Sequence, residues 1–490
     1  MRPEWLRTAV FYEIYPQSFY SPSGTGCGTL KGIIQKLDYV KDLGCNAIWL
    51  NPIYDSPFKD AGYDVRDYKK VAARYGTIED AKDLFNEAHK KGIRVILDLV
   101  PGHTSEEHEW FKMSSRADKN EYSGRYIWTD SWFKGIPGRP YIGGETERDG
   151  TYMLNFFKCQ PALNYGWTNP TEKWQSSIDS PESLKTREAI KDICLYWLDM
   201  GCDGFRVDMA DSLVKGDDSW PATASVWKDI LGYVKDRYPD AAFVSEWSYP
   251  YTSIVDAGFD MDFYLDHAGN GYNSLLRDYE TPGDDMSYFR SSSNISCSRF
   301  INEWLPSYEA VKDHGYISLI TGNHDTTRIS YNLSERERLI AICFILTMPG
   351  VPFIYYGDEI GMRYLDLPSF EGGYTRTGSR TPMQWDKETL KQKLYLPCDP
   401  SGDAPTVSDS NLQYNTIRSL LEFRNKNIDA DSPFDILYHD NNSPLFVFRR
   451  GDYKIAVNPY RESVDCDINP EKIMWSVGEF AGPQSFVIFK

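Results

Sequence analysis

Apolar and polar positions along this chain fall into two alternating rhythms. Ala9-Val10-Phe11-Tyr12-Glu13-Ile14-Tyr15 alternates with the period of a strand. A Gly-bearing turn over 21–28 then leads into a helix-period run over 30–43 that stops at Gly44. Ala47-Ile48-Trp49-Leu50 follows at once as a second strand, and the cycle repeats. A helix over 78–91 stops at Gly92 and gives way to a strand over 94–100. A helix over 188–200 stops at Gly201 and gives way to Phe205-Arg206-Val207. Further strand-like runs lie at 242–245, 259–263, 317–321 and 352–356. Strand, helix and glycine stop in turn predict parallel strands joined by crossover helices, and eight such strands predict an α/β chain folded as a (β/α)8 barrel.

Two stretches break the rhythm. After the third strand, 103–169 has no clean helical period and is rich in Gly, Tyr and Trp, so it reads as an inserted lid over the barrel mouth. After an amphipathic helix over 412–425 come short alternating runs at 436–437, 445–449, 454–457 and 485–489, which predict an antiparallel β domain. The expected division is therefore a barrel from 1–102 and 170–430, a lid at 103–169 and a C-terminal β domain at 431–490.

In such a barrel the C-terminal ends of the strands share one mouth. Strand three ends Asp98-Leu99-Val100-Pro101-Gly102-His103, strand four supplies Arg206 and Asp208, strand five Glu246, and strand seven Asn323-His324-Asp325. Arg206 and Asp208 are two apart and so lie on one face, where the guanidinium is expected to keep Asp208 ionised. That pair by itself could equally be a structural ion pair. A retaining glycosidase needs one carboxylate to attack the anomeric carbon and one carboxyl to protonate the leaving oxygen, roughly 5–5.5 Å apart. Asp208 fits the first role. Glu246 fits the second, with the neighbouring Trp247 expected to raise its pKa. Asp325 can stabilise an oxocarbenium-like transition state, and His103 and His324 suit sugar hydroxyls. This chemistry calls for no cofactor and no metal. Three acids and two histidines could also ligate a metal, although short metal-type spacings are lacking.

Bulk composition narrows the partners. A net charge of −18 disfavours nucleic acid and admits a neutral oligosaccharide. Aromatic content of 15%, with 34 Tyr, suits stacking on sugar rings as well as a large core. Nine scattered cysteines without CxxC spacing argue against a disulfide framework or zinc site. No signal peptide or apolar span is visible, which gives a cytoplasmic expectation with no membrane partner.

Taken in order, Asp98-Leu99-Val100 with His103, Gln160-Pro161-Ala162-Leu163-Asn164, Gly204-Phe205-Arg206-Val207-Asp208, Glu246 and Asn323-His324-Asp325 resemble the motifs of the α-amylase family of glycoside hydrolases, over essentially the full length. The resemblance implies nucleophile Asp208, acid/base Glu246 and stabiliser Asp325. Asp60-Ala61-Gly62-Tyr63-Asp64 resembles the oligo-1,6-glucosidase and α-glucosidase branch, where the Tyr stacks on bound glucose and the first Asp pairs with an Arg that here would be Arg328. Such a pair closes the non-reducing side of the site into a pocket. Ser379-Arg380-Thr381-Pro382-Met383-Gln384-Trp385 resembles the glucosidase and trehalose synthase branch.

Departures fall at Gly102, where relatives often carry a calcium-binding Asn, and in the 21–28 loop, which lacks the calcium-binding acids of oligo-1,6-glucosidases. They fall also at Ala162, at Trp247, and at Met209, which is none of the residues associated with α-1,6 or α-1,4 preference. The functional expectation is a retaining exo-α-glucosidase acting on malto- or isomalto-oligosaccharides. The alternatives are a transglucosylase or trehalose synthase using the same covalent intermediate, an endo-amylase, and a non-catalytic relative.

Overall fold

The computed structural model describes residues 2–22, 26–265, 270–277, 286–409 and 411–490. Eight short strands carry the scaffold. β1 (Phe11–Ile14) is followed by α1 (Leu30–Gln35), α2 (Leu37–Leu43) and β2 (Ala47–Leu50). Then come α3 (Ile78–Lys90), β3 (Arg94–Leu99), α4 (Pro181–Met200), β4 (Gly204–Val207), α5 (Pro221–Lys235), β5 (Ala242–Ser245) and β6 (Met261–Phe263). The barrel finishes with α6 (Ser298–Val311), β7 (Tyr316–Ser318), α7 (Glu335–Thr347) and β8 (Phe353–Tyr355). The sheet order is β7-β6-β5-β4-β3-β2-β1-β8, every pair parallel. An isolated parallel bridge between Ile320 and Phe353 joins β7 to β8, so the barrel closes.

The expected single helix over 30–43 is two. The chain breaks at Lys36 (φ −111°, ψ 8°), which lays its ammonium over the rings of Tyr20 at 4.2 Å and Trp385 at 4.1 Å. α4 begins seven residues earlier than its apolar period suggests, because Ser180 caps it through the Ser183 N–H and Pro181 fits the first turn. The stops were legible: Gly44 and Gly201 hold φ of 108° and 109°, left-handed values that favour glycine at a helix C-cap.

The barrel interior is layered. Phe11, Trp49, Phe263 and Phe353 pack ring on ring, with Phe11 stacked on Phe353 at 4.3 Å. Two residues on from Phe11 and on the same face stands Glu13, and around it in the same enclosed space lie Asp98 and Arg206. Charged groups at that depth cost free energy unless each is paired, so the layer must be an ion-pair network.

Residues 103–169 hold a six-residue helix, Glu109–Ser114, and a hairpin of Tyr141–Gly143 with Thr151–Met153, around a small core of Ile127, Ile136, Met153 and Ala162. After α8 (Leu412–Asn427), five antiparallel strands form the C-terminal sheet: β9 (Phe434–His439), β10 (Phe446–Arg450), β11 (Tyr453–Asn458), β12 (Ile473–Val477) and β13 (Ser485–Phe489), in the order β9-β10-β11-β13-β12. β12 was not anticipated, since its exposed Ile473 and Ser476 break any clean alternation. α7 is apolar on every side from Leu339 to Leu346, as suits a helix buried all round.

Candidate active site

Strand ends β3, β4 and β5 bring three carboxylates to one guanidinium. Arg206 Nη1 donates to Asp98 Oδ1 at 2.8 Å and to Asp208 Oδ1 at 3.0 Å, while its Nη2 lies 2.6 Å from Glu246 Oε2. Asp98 is further fixed by the Tyr63 hydroxyl at 2.8 Å and the Trp49 indole N–H at 3.1 Å. Arg206 is not the sole influence on the Asp208 carboxyl. Burial pushes the Asp208 carboxyl well up and outweighs Arg206, whose charge is shared three ways, and Glu246, Asp98 and Asp325 add repulsion.

The Trp247 side chain is buried. Its ring sits edge-on to Trp220 at 6.2 Å and to Phe259 at 6.4 Å. The Glu246 carboxylate is instead held by polar groups, Arg206 and the Met209 N–H at 2.9 Å. To present that N–H, Met209 adopts φ 43° and ψ 49°, a left-handed conformation directly after Asp208.

The second half of the site comes from the loops after β2, β7 and β8. His324 Nε2 stands 3.0 Å from Asp325 Oδ2, Arg376 Nη1 donates to Asp325 Oδ1 at 2.7 Å, and Arg380 Nη2 donates to the same oxygen at 2.8 Å. Burial alone would raise the Asp325 carboxyl, yet His324, Arg376 and Arg380 hold it well below the usual carboxylate range. Asp60 lies 3.5 Å from Arg376 Nη2 and accepts from Gln160 Nε2 at 2.8 Å, and burial pushes its pKa up to about 6. Tyr63 stacks on His324 with centroids 5.1 Å apart.

Arg328 and His103, both expected at the sugar, each have protein partners. Arg328 does not meet Asp60. It is enclosed, and donates to Asp358 Oδ1 at 3.0 Å and to the Tyr356 carbonyl at 2.8 Å. Asp358 is fully buried behind β8 and Arg328 pairs with it, while Arg376 supplies the Asp60 pair. His103 has both ring nitrogens engaged by protein, Nε2 with the Tyr63 carbonyl at 3.1 Å and Nδ1 with Asn155 Nδ2 at 3.2 Å. These partners assign the proton to Nε2, and burial pushes the ring pKa down to about 4. His103 thus fixes the Tyr63 segment from below.

Arg376, Arg380, Gln160 and Glu13 were not picked out as site residues. Gln160 and Arg380 lie inside quoted motifs, and Glu13 is the lone carboxylate in an apolar strand, so each left a signal. Arg376 left none, since Gly373-Tyr374-Thr375-Arg376 reads as an ordinary turn.

A Cβ at Gly102 would come within 2.7 Å of Asn155 Nδ2, the end of a flexible side chain that could shift. In the 21–28 loop, residues 23–25 lie outside the described residues. Among the described residues no three His, Cys, Asp or Glu side chains are grouped to hold a metal ion, and no helix is long and apolar enough to cross a membrane.

The α-amylase catalytic-domain family model matches residues 13–431. The chain is similar to an oligo-1,6-glucosidase of Heyndrickxia coagulans, at 32% identity over 99% of this chain and 98% of that protein. It is also similar to the trehalose synthase/amylase TreS of Mycolicibacterium smegmatis, at 32% identity over 86% of this chain and 76% of that protein. Among solved structures, an isomaltulose synthase mutant from Erwinia rhapontici NX5 in complex with sucrose superposes with a TM-score of 0.80 at 24% identity, covering 99% of both chains, which is a likeness of fold.

Proposed function

The chain belongs to the α-amylase family of glycoside hydrolases, and from that premise we propose that it is a retaining, exo-acting α-glucosidase for short malto- or isomalto-oligosaccharides. The observation that carries the exo reading is the Asp60–Arg376–Asp325 contact, which walls one side of the carboxylate cluster with paired charges. A glucosyl unit seated against that wall has its far hydroxyls met by Asp60 and Arg376 and no room for a continuing chain.

In this reading Asp208 attacks the anomeric carbon and forms a glucosyl ester as the glycosidic C–O bond breaks. Glu246, in its protonated form, gives its proton to the departing oxygen. Asp325, held ionised, faces the positive charge that develops on the ring. Glu246, now an anion, takes a proton from water, whose oxygen displaces Asp208 with net retention. Trp247 follows Glu246 in the chain and Met209 donates its N–H to Glu246 Oε2 at 2.9 Å, so both are assigned to the leaving-group side. A second reading, motivated by the likeness to a trehalose synthase, replaces that water with a sugar hydroxyl at the same step.

The test is a disaccharide panel (maltose, isomaltose, nigerose, kojibiose, sucrose, trehalose) followed by anomeric NMR, with and without added acceptor sugar. Glucose released first as the α-anomer is the expected outcome, and first appearance of β-glucose would sink the retaining assignment. Asp208→Asn should lower turnover by at least about 1,000-fold with an unchanged circular dichroism spectrum. New disaccharides that accumulate without added acceptor would favour the second reading.

A further inference from the structure

One buried carboxylate has no part in the reaction described above. Glu13, on β1, is 1% exposed, and its Oε1 lies 2.9 Å from His324 Nδ1 and accepts from Asn51 Nδ2 at 3.2 Å. On the opposite side of the same ring, Nε2 stands 3.0 Å from Asp325 Oδ2. The imidazole cannot turn to escape this arrangement. Tyr63 stacks on it at 5.1 Å and 9°, Tyr15 lies near-parallel at 6.4 Å and 12°, and the His324 carbonyl accepts from Arg380 Nε at 2.9 Å.

A ring fixed between two carboxylates has a restricted proton inventory. With both carboxylates ionised, either neutral tautomer would set a nitrogen lone pair against an anionic oxygen, at Glu13 in one case and at Asp325 in the other; Asn51 Nδ2 also lies 3.0 Å from Nδ1, but its two protons are directed at Glu13 Oε1 and the Tyr63 hydroxyl. The remaining charges near the pair are engaged elsewhere. Arg206 serves Asp98, Asp208 and Glu246, while Arg376 and Arg380 serve Asp325 and Asp60. Among the described residues, His324 is the one cationic partner that Glu13 touches.

We propose that Glu13 is a positioning residue that keeps His324 doubly protonated through the catalytic cycle, so that Nε2–H always faces Asp325 and the incoming sugar hydroxyls. The assignment rests on the glucosidase reading of Asp325 and His324. Its consequence is that loss of the His324 proton sets the alkaline limit of turnover. The charge balance agrees: burial by itself lowers the ring pKa, but Asp325 and Glu13 outweigh it and lift it to about 9. A pKa raised in this way means that the active, protonated ring persists below about pH 9 and is lost above it.

Glu13→Gln keeps the shape and removes the anion at Nδ1, which makes one neutral tautomer acceptable. The alkaline limb of kcat/KM should move down by about one pH unit or more, a tenfold change in proton affinity, while the loss at pH 6 stays well below the loss at pH 8.5. Glu13→Asp should restore part of the alkaline range.

A second readout does not depend on activity. In full-length protein carrying 15N-labelled histidine, with the His324 resonances identified by their absence in His324→Gln, both ring nitrogens should carry protons at pH 7. The ring should titrate near pH 9 in the wild type and at least one unit lower in Glu13→Gln. A neutral His324 at pH 7 overturns the proposal, and that outcome is readable even if Glu13→Gln does not fold. An unmoved titration or alkaline limb in Glu13→Gln also overturns it, as does a loss of kcat/KM that is uniform across pH, which a purely structural role would give. If the panel shows no glucoside turnover while the ring titration moves as expected, the glucosidase reading fails and the role of Glu13 towards His324 stands.

Discussion

Arg376 ties two of the site's carboxylates to one side chain that no motif names. Its Nη1 touches Asp325, its Nη2 reaches Asp60, and it is tied back to its own turn through the Gly372 carbonyl at 2.8 Å. Removing it would leave Asp60 and part of Asp325 uncompensated in a poorly solvated pocket, a cost that falls on binding and on the transition state together. Arg376→Ala should lower kcat/KM for a disaccharide by about 100-fold or more, with a raised KM. In a maltoheptaose digest it should also admit internal cleavage products that the wild type does not make. A wild-type product pattern in the variant would remove Arg376 from the pocket wall. Met209 is the other residue whose meaning lies in its backbone. Its left-handed conformation costs roughly 1–2 kcal/mol for a non-glycine residue, and the N–H it turns towards Glu246 is what that strain secures.

Among elements, the short segment from the end of α4 into β4 shows how local rules deliver a functional carboxylate. Gly201 ends the helix at φ 109°, its N–H donating to the Leu198 carbonyl at 3.0 Å, and the chain reverses directly into the strand that ends at Asp208. Alanine there keeps ordinary space, with the nearest atom to a Cβ at 3.5 Å on Phe85, so only the backbone conformation is penalised. Gly201→Ala should lower stability by about 1 kcal/mol, read as a lower urea midpoint with an unchanged slope, while turnover per folded molecule stays the same. These stops, the apolar strands and the eight-fold alternation were legible because each depends on a few neighbouring residues. The break at Lys36 was not, because it answers to Tyr20 and to Trp385, the latter far along the chain.

Across the whole molecule, the barrel and the C-terminal sheet are joined by buried guanidinium groups as well as by apolar packing. Arg450, on β10, donates to the Thr347 carbonyl at the end of α7 and to the Asp429 carbonyl, each at 2.6 Å, and Arg424 on α8 donates to the Leu346 carbonyl at 2.8 Å. The carbonyls at a helix C-terminus carry partial negative charge, which suits cations that pair with no carboxylate among the described residues. Arg450→Ala should leave buried carbonyls unpaired and lower stability by about 1–3 kcal/mol, seen as a fall in Tm. If the Tm is unchanged, the clamp contributes nothing.

By itself, the sequence determined the barrel, the order of its elements and the strand ends at which Asp208, Glu246 and Asp325 stand. Periodicity, glycine stops and short motifs are local, and a closed parallel barrel sends every strand end to one mouth. The tertiary structure decided which charge meets which. Arg376 reaches Asp60 across 316 positions, Arg328 is claimed by Asp358, and Glu13 meets His324 from the far end of the chain. It also decided the surroundings of the nucleophile: pairing with Arg206 was readable from their spacing, but the burial that pushes the Asp208 carboxyl up, and the sharing of one guanidinium among three carboxylates, exist only once three strands close around them. Electrostatic energy depends on distance and desolvation in the folded chain, and neither quantity is written in the order of the residues.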